Sequence, residues 1–569
     1  MLNMIEEYDF DNLGIEEIKN LSYGRNWPIV YILRGEKEAY VGETINAYQR
    51  MKQHMRNPKR RTLNKVNIIY DSEFNKSAIL DIESLLINYM LSDQKYKLQN
   101  ISSGINSQSN YYCRENYLNK FDDIWKSLLK QGLVKHDRLF LENLDIFKFS
   151  PYKALTDDQH IAAIDIIKAL IDNKVQKKKS TFIVNGSPGT GKSVLAIYLM
   201  KLLVESQQAV NELNFIDDNI NFITLLNLIS QYYGQLKVGL VVPMESLRKT
   251  LKSVFKQIPG LKAKMVIGPS EVVKEHYDIL IVDEAHRLRR RVNLQAGQYH
   301  TFDAINKGLK LYDETHQNDG DELDWILKSS EYQILFYDSH QSIKPSDIRK
   351  EKFEEIIEKV GTTQFTLTSQ MRVKGGEYYI TSIYKLLGQE IKKQIEVENY
   401  ELKIFDDVND MYELIRLKDK EEGLCRMVAG YAWPWRTKDV SYHDIDKEKL
   451  FDINIDGYHY IWNHTNKDWV NSLNAINEIG CIHTVQGYDL NYVGVIIGNE
   501  IKYDNVNQKI YIDSDNYYDR NGKKSLKTQQ ELYDYIINIY KVLLTRGIKG
   551  TYIYICNPEL KEYFKQYIK

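Results

Sequence analysis

The sequence predicts an α/β chain: a small α+β domain followed by two doubly wound lobes built on parallel sheets. Two observations carry the lobes. Short apolar runs end abruptly on Gly, Pro or acidic residues, at Thr181–Val184, Val238–Val242, Ile279–Val282, Ile334–Tyr337 and Tyr492–Ile497, and a further run, Tyr552–Cys556, lies near the C-terminus. Runs that are apolar throughout suit strands buried on both faces of a parallel sheet. Helical patterns such as Val194–Val204 and Met244–Phe255 lie between them. Alternating strands and helices give a doubly wound architecture, in which ligands bind beyond the carboxyl ends of the strands.

The first 112 residues are organised differently. A strand pair, Ile29–Leu33 and Ala39–Val41, turns around Gly35 and is followed by a basic helix and an apolar helix. Residues 113–150 read as a helical connector, because Phe121, Ile124, Trp125, Leu128 and Leu129 share helical spacing. The expected divisions are therefore 1–112, the connector 113–150, a first lobe 151–360 and a second lobe with an insertion, 361–569.

A chain of 569 residues suits three or four domains. Its 43% hydrophobic and 27% charged residues exclude a disordered or collagen-like chain. Lys and Arg (76) balance Asp and Glu (78), so any nucleic-acid surface has to be local. Cys113, Cys425, Cys481 and Cys556 form no CxxC pair, which argues against a disulfide framework and predicts a reducing cytoplasm. The first residues lack a secretory signal pattern, and no apolar run approaches a membrane span, so no membrane partner is expected.

Gly186-Ser187-Pro188-Gly189-Thr190-Gly191-Lys192-Ser193 matches GxxxxGK[ST] between a strand and a helix. Such a loop points backbone N–H groups at phosphates, with Lys192 at the β/γ-phosphates and Ser193 on Mg²⁺. Asp283 and Glu284 end a buried strand. Asp283 would hold Mg²⁺ through water, and Glu284 would orient or deprotonate the attacking water. Together the two motifs predict ATP and Mg²⁺ as cofactors.

Further residues follow in helicase order. Gln159 stands where helicases place an adenine-reading glutamine. Asp338-Ser339-His340-Gln341 resembles motif III, Gln370-Met371-Arg372 motif IV, Ile482–Asp489 motif V, and Leu543-Leu544-Thr545-Arg546-Gly547 motif VI. Residues from about 150 onward thus resemble a superfamily 1 helicase-like ATPase, and most closely an uncharacterised bacterial group related to the Schlafen C-terminal domain. Cys425–Trp435 looks like that group's signature. The resemblance implies two RecA-like lobes with ATP in the cleft. It gives Arg372 and Arg546 the role of arginine fingers from the second lobe, and Gln341 a place at the nucleotide. It also sets Val241-Val242-Pro243-Met244, with Leu247 and Arg248, on a nucleic-acid backbone.

In the N-terminal segment, Ile29-Val30-Tyr31 is followed by Tyr40-Val41-Gly42, then Arg50, His54, Glu83 and Asn100. Arg50 and His54 share a helix face. Lys52, Arg56, Lys59, Arg60 and Arg61 form a basic surface around them. Glu83 falls on the apolar stripe Ile79, Leu86, Met90, where a carboxylate is costly unless paired or metal-bound. The series resembles a GIY-YIG endonuclease domain, with Ile29 in place of the family's first Gly. That resemblance makes Tyr31 the general base, with Tyr40 nearby. Arg50 would stabilise the pentavalent phosphate, His54 would assist proton transfer, Glu83 would bind one Mg²⁺ and Asn100 would orient the site.

The expected function is an ATP-driven enzyme with a fused nuclease. DNA is favoured, in phage restriction or mobile-element biology, with a homo-oligomer or a defence-system protein as a compatible partner. RNA or tRNA cleavage, and a nucleic-acid sensor that switches without unwinding, are the alternatives.

Overall fold

The computed structural model describes residues 5–100, 111–153, 155–206, 220–294, 296–311, 320–338, 341, 345–359, 361–465, 469–485, 487–523, 526 and 528–568. Ser339, His340 and Gln486, which belong to the helicase-like motifs, lie outside them.

The N-terminal sheet is larger than the expected strand pair. Its strands are β1 (Ile5–Asp9), β2 (Ile29–Arg34), β3 (Glu38–Thr44), β4 (Lys65–Tyr70) and β5 (Lys97–Leu98), in the order β1-β4-β2-β3-β5. β1 and β4 pair antiparallel beside β2. The expected helices follow β3 and β4. Helix Ala47–Arg56 is capped by Asn46, whose side chain accepts from Gln49 N–H. Helix Lys76–Asp93 is capped by Asn75 and buries residues on all sides, as a helix between two layers must.

The connector is part of this body rather than a tether. Arg114 makes a two-pronged contact to buried Asp81, at 2.8 and 3.2 Å. Buried Asp93 accepts from the N–H groups of Lys135 and His136, both at 2.9 Å. Phe121, Ile124, Trp125 and Leu128 pack in one core with Ile82, Leu86 and Tyr89, and that core continues into the first lobe at Ile166 and Leu199. Leu129, expected on the same stripe, is 36% exposed.

The first lobe carries β6 (Ser180–Gly186), β7 (Val238–Val241), β8 (Val266–Ile267), β9 (Tyr277–Val282), β10 (Ser330–Tyr337) and β11 (Thr362–Leu367). They form a wholly parallel sheet, β11-β6-β10-β9-β7-β8. β11 corrects the boundary expected at 360. It pairs with β6 from Thr362↔Thr181 to Leu367↔Gly186, so the first lobe runs to Leu367.

The second lobe carries β12 (Glu401–Phe405), β13 (Arg426–Ala429), β14 (Ile453–Ile455), β15 (Tyr458–Trp462), β16 (Glu478–Gly480), β17 (Leu490–Ile497) and, after the hairpin of β18 (Ile501–Asp504) and β19 (Lys509–Ile512), β20 (Gly547–Ile555). The sheet runs β12-β20-β17-β13-β16-β15-β14, parallel except for β14. The Cys425–Trp435 signature contributes β13 and its turn. A Cβ on Gly430 would lie 2.4 Å from the Tyr540 hydroxyl, so the turn closes against helix Gln529–Leu544. The insertion adds the β14–β15 hairpin to this sheet's edge. All four cysteines are unpaired. No helix among the described residues is long and apolar enough to cross a membrane.

Because connector side chains complete the N-terminal core, residues 1–112 expressed alone should expose that core. The fragment is expected to bind a hydrophobic dye and to lack a cooperative melt, whereas 1–153 should do better on both counts. A cooperative melt of 1–112 equal to that of 1–153 would make the connector dispensable.

Candidate functional site

The first site lies at the carboxyl ends of β6, β9 and β10. Gly189 and Gly191 have φ of 87° and 74°, left-handed values that favour glycine. A Cβ on Gly191 would meet the Gln159 amide at 2.3 Å, and one on Gly186 would meet the Thr190 hydroxyl at 2.4 Å. Lys192 is folded back onto its own loop. Its ammonium donates to the carbonyls of Gly186 (2.6 Å) and Ser187 (3.0 Å) and lies 3.5 Å from Asp338 Oδ2. Gln341 Nε2 donates to the same Asp338 oxygen at 2.7 Å. Gln341 thus reaches the nucleotide lysine through Asp338.

Asp283 and Glu284 leave β9 side by side. Glu284 sits at φ 53°, a left-handed strain typical of functional turns. Burial, and then the Glu284 charge, raise the Asp283 carboxyl above its ordinary range despite Ser193 and Lys192 nearby. Burial opposes ionisation of Glu284 too, but His286, with Nε2 2.8 Å from its carboxylate, holds it low. Asp283 Oδ2 is buried with no hydrogen-bond partner. That orphaned oxygen near Ser193 fits a divalent cation, which would be held by Ser193 and Asp283 and would supply charge neutralisation at the phosphates. Ionised Glu284 is the group suited to orienting water.

Gln159 is fully buried and faces the loop. Its Nε2 donates to Thr190 O at 2.7 Å, and its Oε1 accepts from Thr156 N–H at 3.1 Å. In this conformation it braces the phosphate loop rather than offering its amide to a base.

Arg372 also departs from its expected origin. It follows β11 on the segment joining the lobes, and that segment is seated on the phosphate loop: Met371 N–H donates to Gly189 O (2.9 Å) and Gln370 Nε2 to Pro188 O (2.7 Å). Arg372 pairs with Asp489 of the second lobe, Nε to Oδ1 at 2.5 Å. Arg546 is buried beside them, with Nη1 donating to Tyr488 O at 3.3 Å. Burial and the neighbouring Arg372 charge lower its guanidinium to about 10. Two arginines, the phosphate loop and the carboxylates that end β9 therefore converge on one cleft between the lobes.

A cavity of about 1030 Å³ opens beside this cleft. Pro243, Met244 and Arg248 line it from the first lobe with Arg287, and His483 and Tyr488 line it from the second. Of the residues expected on a nucleic-acid backbone, Val241, Val242 and Leu247 are instead buried in the core, because they complete β7 and the helix packed on it.

The second site is in the N-terminal domain. Tyr31 on β2 lies opposite Gly42 on β3, and a Cβ there would stand 2.2 Å from the Tyr31 hydroxyl. Arg50 Nε donates to that hydroxyl at 3.2 Å, and His54 Nε2 lies 2.7 Å from it. With Arg50 donating, the hydroxyl proton is directed at His54. Burial, with the Arg50 and Arg60 charges, lowers the His54 imidazole to about 2, so it is neutral, and the same charges oppose its protonation until an anion offsets them. Burial and then Tyr40 raise Tyr31 well above the usual phenol range, against Arg50. Asn100 is bonded to Val41 twice, accepting from its N–H (3.0 Å) and donating to its carbonyl (2.8 Å), which fixes β3 beside Tyr40.

Glu83 is buried, and no hydrogen bond reaches its carboxylate among the described residues. Burial, and then Glu43, push it up to about 8, against Arg50 and Lys76. Glu43 is a carboxylate that the spacing of motifs does not single out. It lies on β3 and is bonded to Lys76 at 2.9 Å. A buried carboxylate without a donor fits a divalent cation, although no cluster of three metal-ligating side chains occurs among the described residues.

Residues 179–557 match the family model described as Schlafen group 3, DNA/RNA helicase domain. The chain belongs to that family. Its two lobes are accordingly a helicase-like, nucleic-acid-processing ATPase, and the match begins beyond the N-terminal domain and connector. An uncharacterized protein of Saccharomyces cerevisiae is 28% identical over 417 residues, which cover 68% of this chain and 84% of that protein. Among solved structures, an arterivirus nonstructural protein 10 helicase in complex with DNA is 12% identical, over 70% of this chain and 65% of that one, with a TM-score of 0.27. The Pif1 helicase of Candida albicans is 11% identical, over 73% of this chain and 99% of that one, with a TM-score of 0.25.

Lys192→Ala should abolish ATP hydrolysis, and Glu284→Gln should keep ATP binding while stopping turnover. Arg372→Ala and Arg546→Ala should each lower turnover more than ATP affinity, by on the order of 10³-fold if they act as arginine fingers. Steady-state ATPase and nucleotide-binding measurements check all four, and wild-type turnover in both arginine variants would place them outside the reaction.

Glu83→Gln should act with opposite sign on stability and on function. A carboxyl raised from 4.5 to about 8 on folding costs stability that grows as pH rises through that window. Glu83→Gln should therefore melt above the parent at pH 8–9, with the gap narrowing towards pH 5 and closing below the unfolded value of 4.5, where both states keep the proton. Thermal melts across that range check it, and a gap that does not shrink at low pH would remove the burial argument.

Proposed function

We propose that the chain is an ATP-dependent nucleic-acid-processing enzyme whose N-terminal domain is a Mg²⁺-dependent endonuclease, with a helicase-like motor that positions or licenses the cut. The Arg50–Tyr31–His54 arrangement beside buried Glu83 carries the reading. Arg50 fixes the Tyr31 hydroxyl so that its proton points at a neutral imidazole. Tyr31 can then act as the base toward water while it passes its own proton to His54, whose imidazole gains basicity once the negative phosphate offsets the Arg50 and Arg60 charges. The water oxygen bonds to phosphorus, and the ester oxygen departs. Arg50 is placed to meet the extra charge on the phosphate. Glu83 would hold Mg²⁺, which when bound polarises the phosphate and eases departure of the leaving oxygen. Asn100 acts through β3, by keeping Tyr40 and Gly42 in register.

DNA is the favoured substrate because the N-terminal motif series resembles DNA-cutting GIY-YIG domains, and the cavity between the lobes offers a path for a strand. The pairing of motor and nuclease suits defence against phage or mobile elements. RNA cleavage is the competing outcome, since phosphate contacts do not separate the two polymers.

The test is cleavage of matched DNA and RNA panels with Mg²⁺, with and without ATP. Glu83→Ala should abolish cleavage and leave ATPase activity intact. Arg50→Ala should cut cleavage strongly while retaining most affinity, because neighbouring basic residues supply the bulk attraction. A folded Glu83→Ala protein that cuts like the parent would overturn the metal assignment. A parent that cuts neither polymer would leave a binding module on an ATP-switched sensor.

A further inference from the structure

The N-terminal site contains a second guanidinium, outside the Tyr31–His54 proton path and the Glu83 metal position, and its role rests on the proposed endonuclease reaction. Arg60 ends the short turn Pro58–Arg60, beyond the helix that carries Arg50 and His54. Its guanidinium carbon lies 3.9 Å from the centre of the Tyr40 ring. The Tyr40 and His54 rings are 4.9 Å apart. Arg50, Tyr31, His54, Tyr40 and Arg60 therefore form one contiguous row, with a guanidinium at each end.

Like Arg50, which donates to the neutral Tyr31 hydroxyl, Arg60 bonds to a neutral group. Arg34, Arg114 and Arg138 in the N-terminal domain and connector each pair with a carboxylate. Arg60 Nη1 instead donates to a neutral acceptor, Gln99 Oε1, at 2.5 Å. Gln99 is itself held by its amide, which donates to Glu38 (2.9 Å) and Thr62 (3.2 Å). Arg60 Nε is buried and meets no acceptor. A half-buried cation with an unused donor is costly unless an anion completes it. Its planar fork matches the oxygens of a phosphate.

We infer that Arg60 is a second phosphate-binding catalytic residue, which donates to a non-bridging oxygen of the scissile phosphodiester from the end of the row opposite Arg50. Stacking on Tyr40 and the bond to Gln99 hold the fork in place before substrate arrives. The two guanidiniums then share the charge that develops on phosphorus, and the proton path from Tyr31 to His54 runs between them.

The experiment compares parent, Arg60→Ala, Arg60→Lys and Glu83→Ala, all as full chains, in DNA and RNA cleavage, ATPase assays and Mg²⁺-free binding of a DNA duplex over a salt series. Arg60→Ala should lower kcat/KM for cleavage by roughly 10–100-fold, the range for losing a charged hydrogen bond, with ATPase unchanged. Its salt slope should fall by about one phosphate contact, which a residue that merely braces Tyr40 would not change. Arg60→Lys keeps the charge without the fork and should recover only part of the loss. If Arg60→Ala misfolds, Arg60→Lys decides, and full activity in that variant overturns the fork. Parent-like cleavage by Arg60→Ala, with Glu83→Ala inactive, overturns the role of Arg60 alone. A parent that cuts neither DNA nor RNA overturns the endonuclease and this role together.

Discussion

The ATP site depends on the parallel register of β6 between β10 and β11. Tyr337 on β10 lies beside Asn185, and Leu367 on β11 lies beside Gly186. The chain leaves all three strands at nearly one level. β6 continues into the phosphate loop, β10 into Asp338 and β11 into the segment that ends at Arg372. Lys192, its carboxylate neighbour and a candidate arginine finger thus converge without a long loop. A slip of one residue in either pairing would turn Asp338 or Leu367 to the opposite face of the sheet and dismantle the cleft.

The same economy joins the N-terminal domain to the motor. The connector completes the core of the first and runs into the core of the second. It also reaches the second lobe. Asn143 Nδ2 donates to Glu422 O at 3.0 Å, and Lys148 Nζ approaches Asp489 O at 3.4 Å. Asp489 is the residue that holds Arg372. The connector is consequently one residue away from the arginine cluster at the ATP cleft, and it is packed against the helix that carries Glu83. A flexible tether between the N-terminal domain and the ATPase lobes is not what this packing describes.

Central strands were legible in the sequence and edge strands were not. β6, β9, β10, β17 and β20 are buried on both faces and read as apolar runs. β1 and β11 are edges, where alternating or polar residues such as Glu6, Glu7, Thr362 and Gln364 carry no such run. Missing β11 displaced the lobe boundary and, with it, the origin of Arg372. Motif spacing singled out Lys192, Asp283, Glu284, Arg50, His54 and Tyr31; that Lys192 lies 3.5 Å from Asp338 and that Arg50 and His54 meet at the Tyr31 hydroxyl came only from the structure. The orientation of Gln159 was not legible, because a cap and a base reader share one position at a helix start. Glu43 and the special setting of Arg60 escaped for a related reason. Each is one charged residue among many in sequence, and only its neighbours in space distinguish it.

Both sites store the same kind of cost. Asp283 and Glu83 are carboxylates buried beside a second carboxylate, Glu284 in one case and Glu43 in the other, and burial is the leading cause that raises each. A protein selected for stability alone would replace such a group with an apolar residue of similar size. Retaining two of them, one beside Arg50 and one beside the phosphate loop, is what the proposed meeting of a divalent cation and a phosphate would require. In that proposal the cation would offset the buried negative charge, and the phosphate would offset the cation together with Arg50 or Lys192. In each site the protein's own charges are left incomplete in the way that a metal-bound phosphoester would complete them.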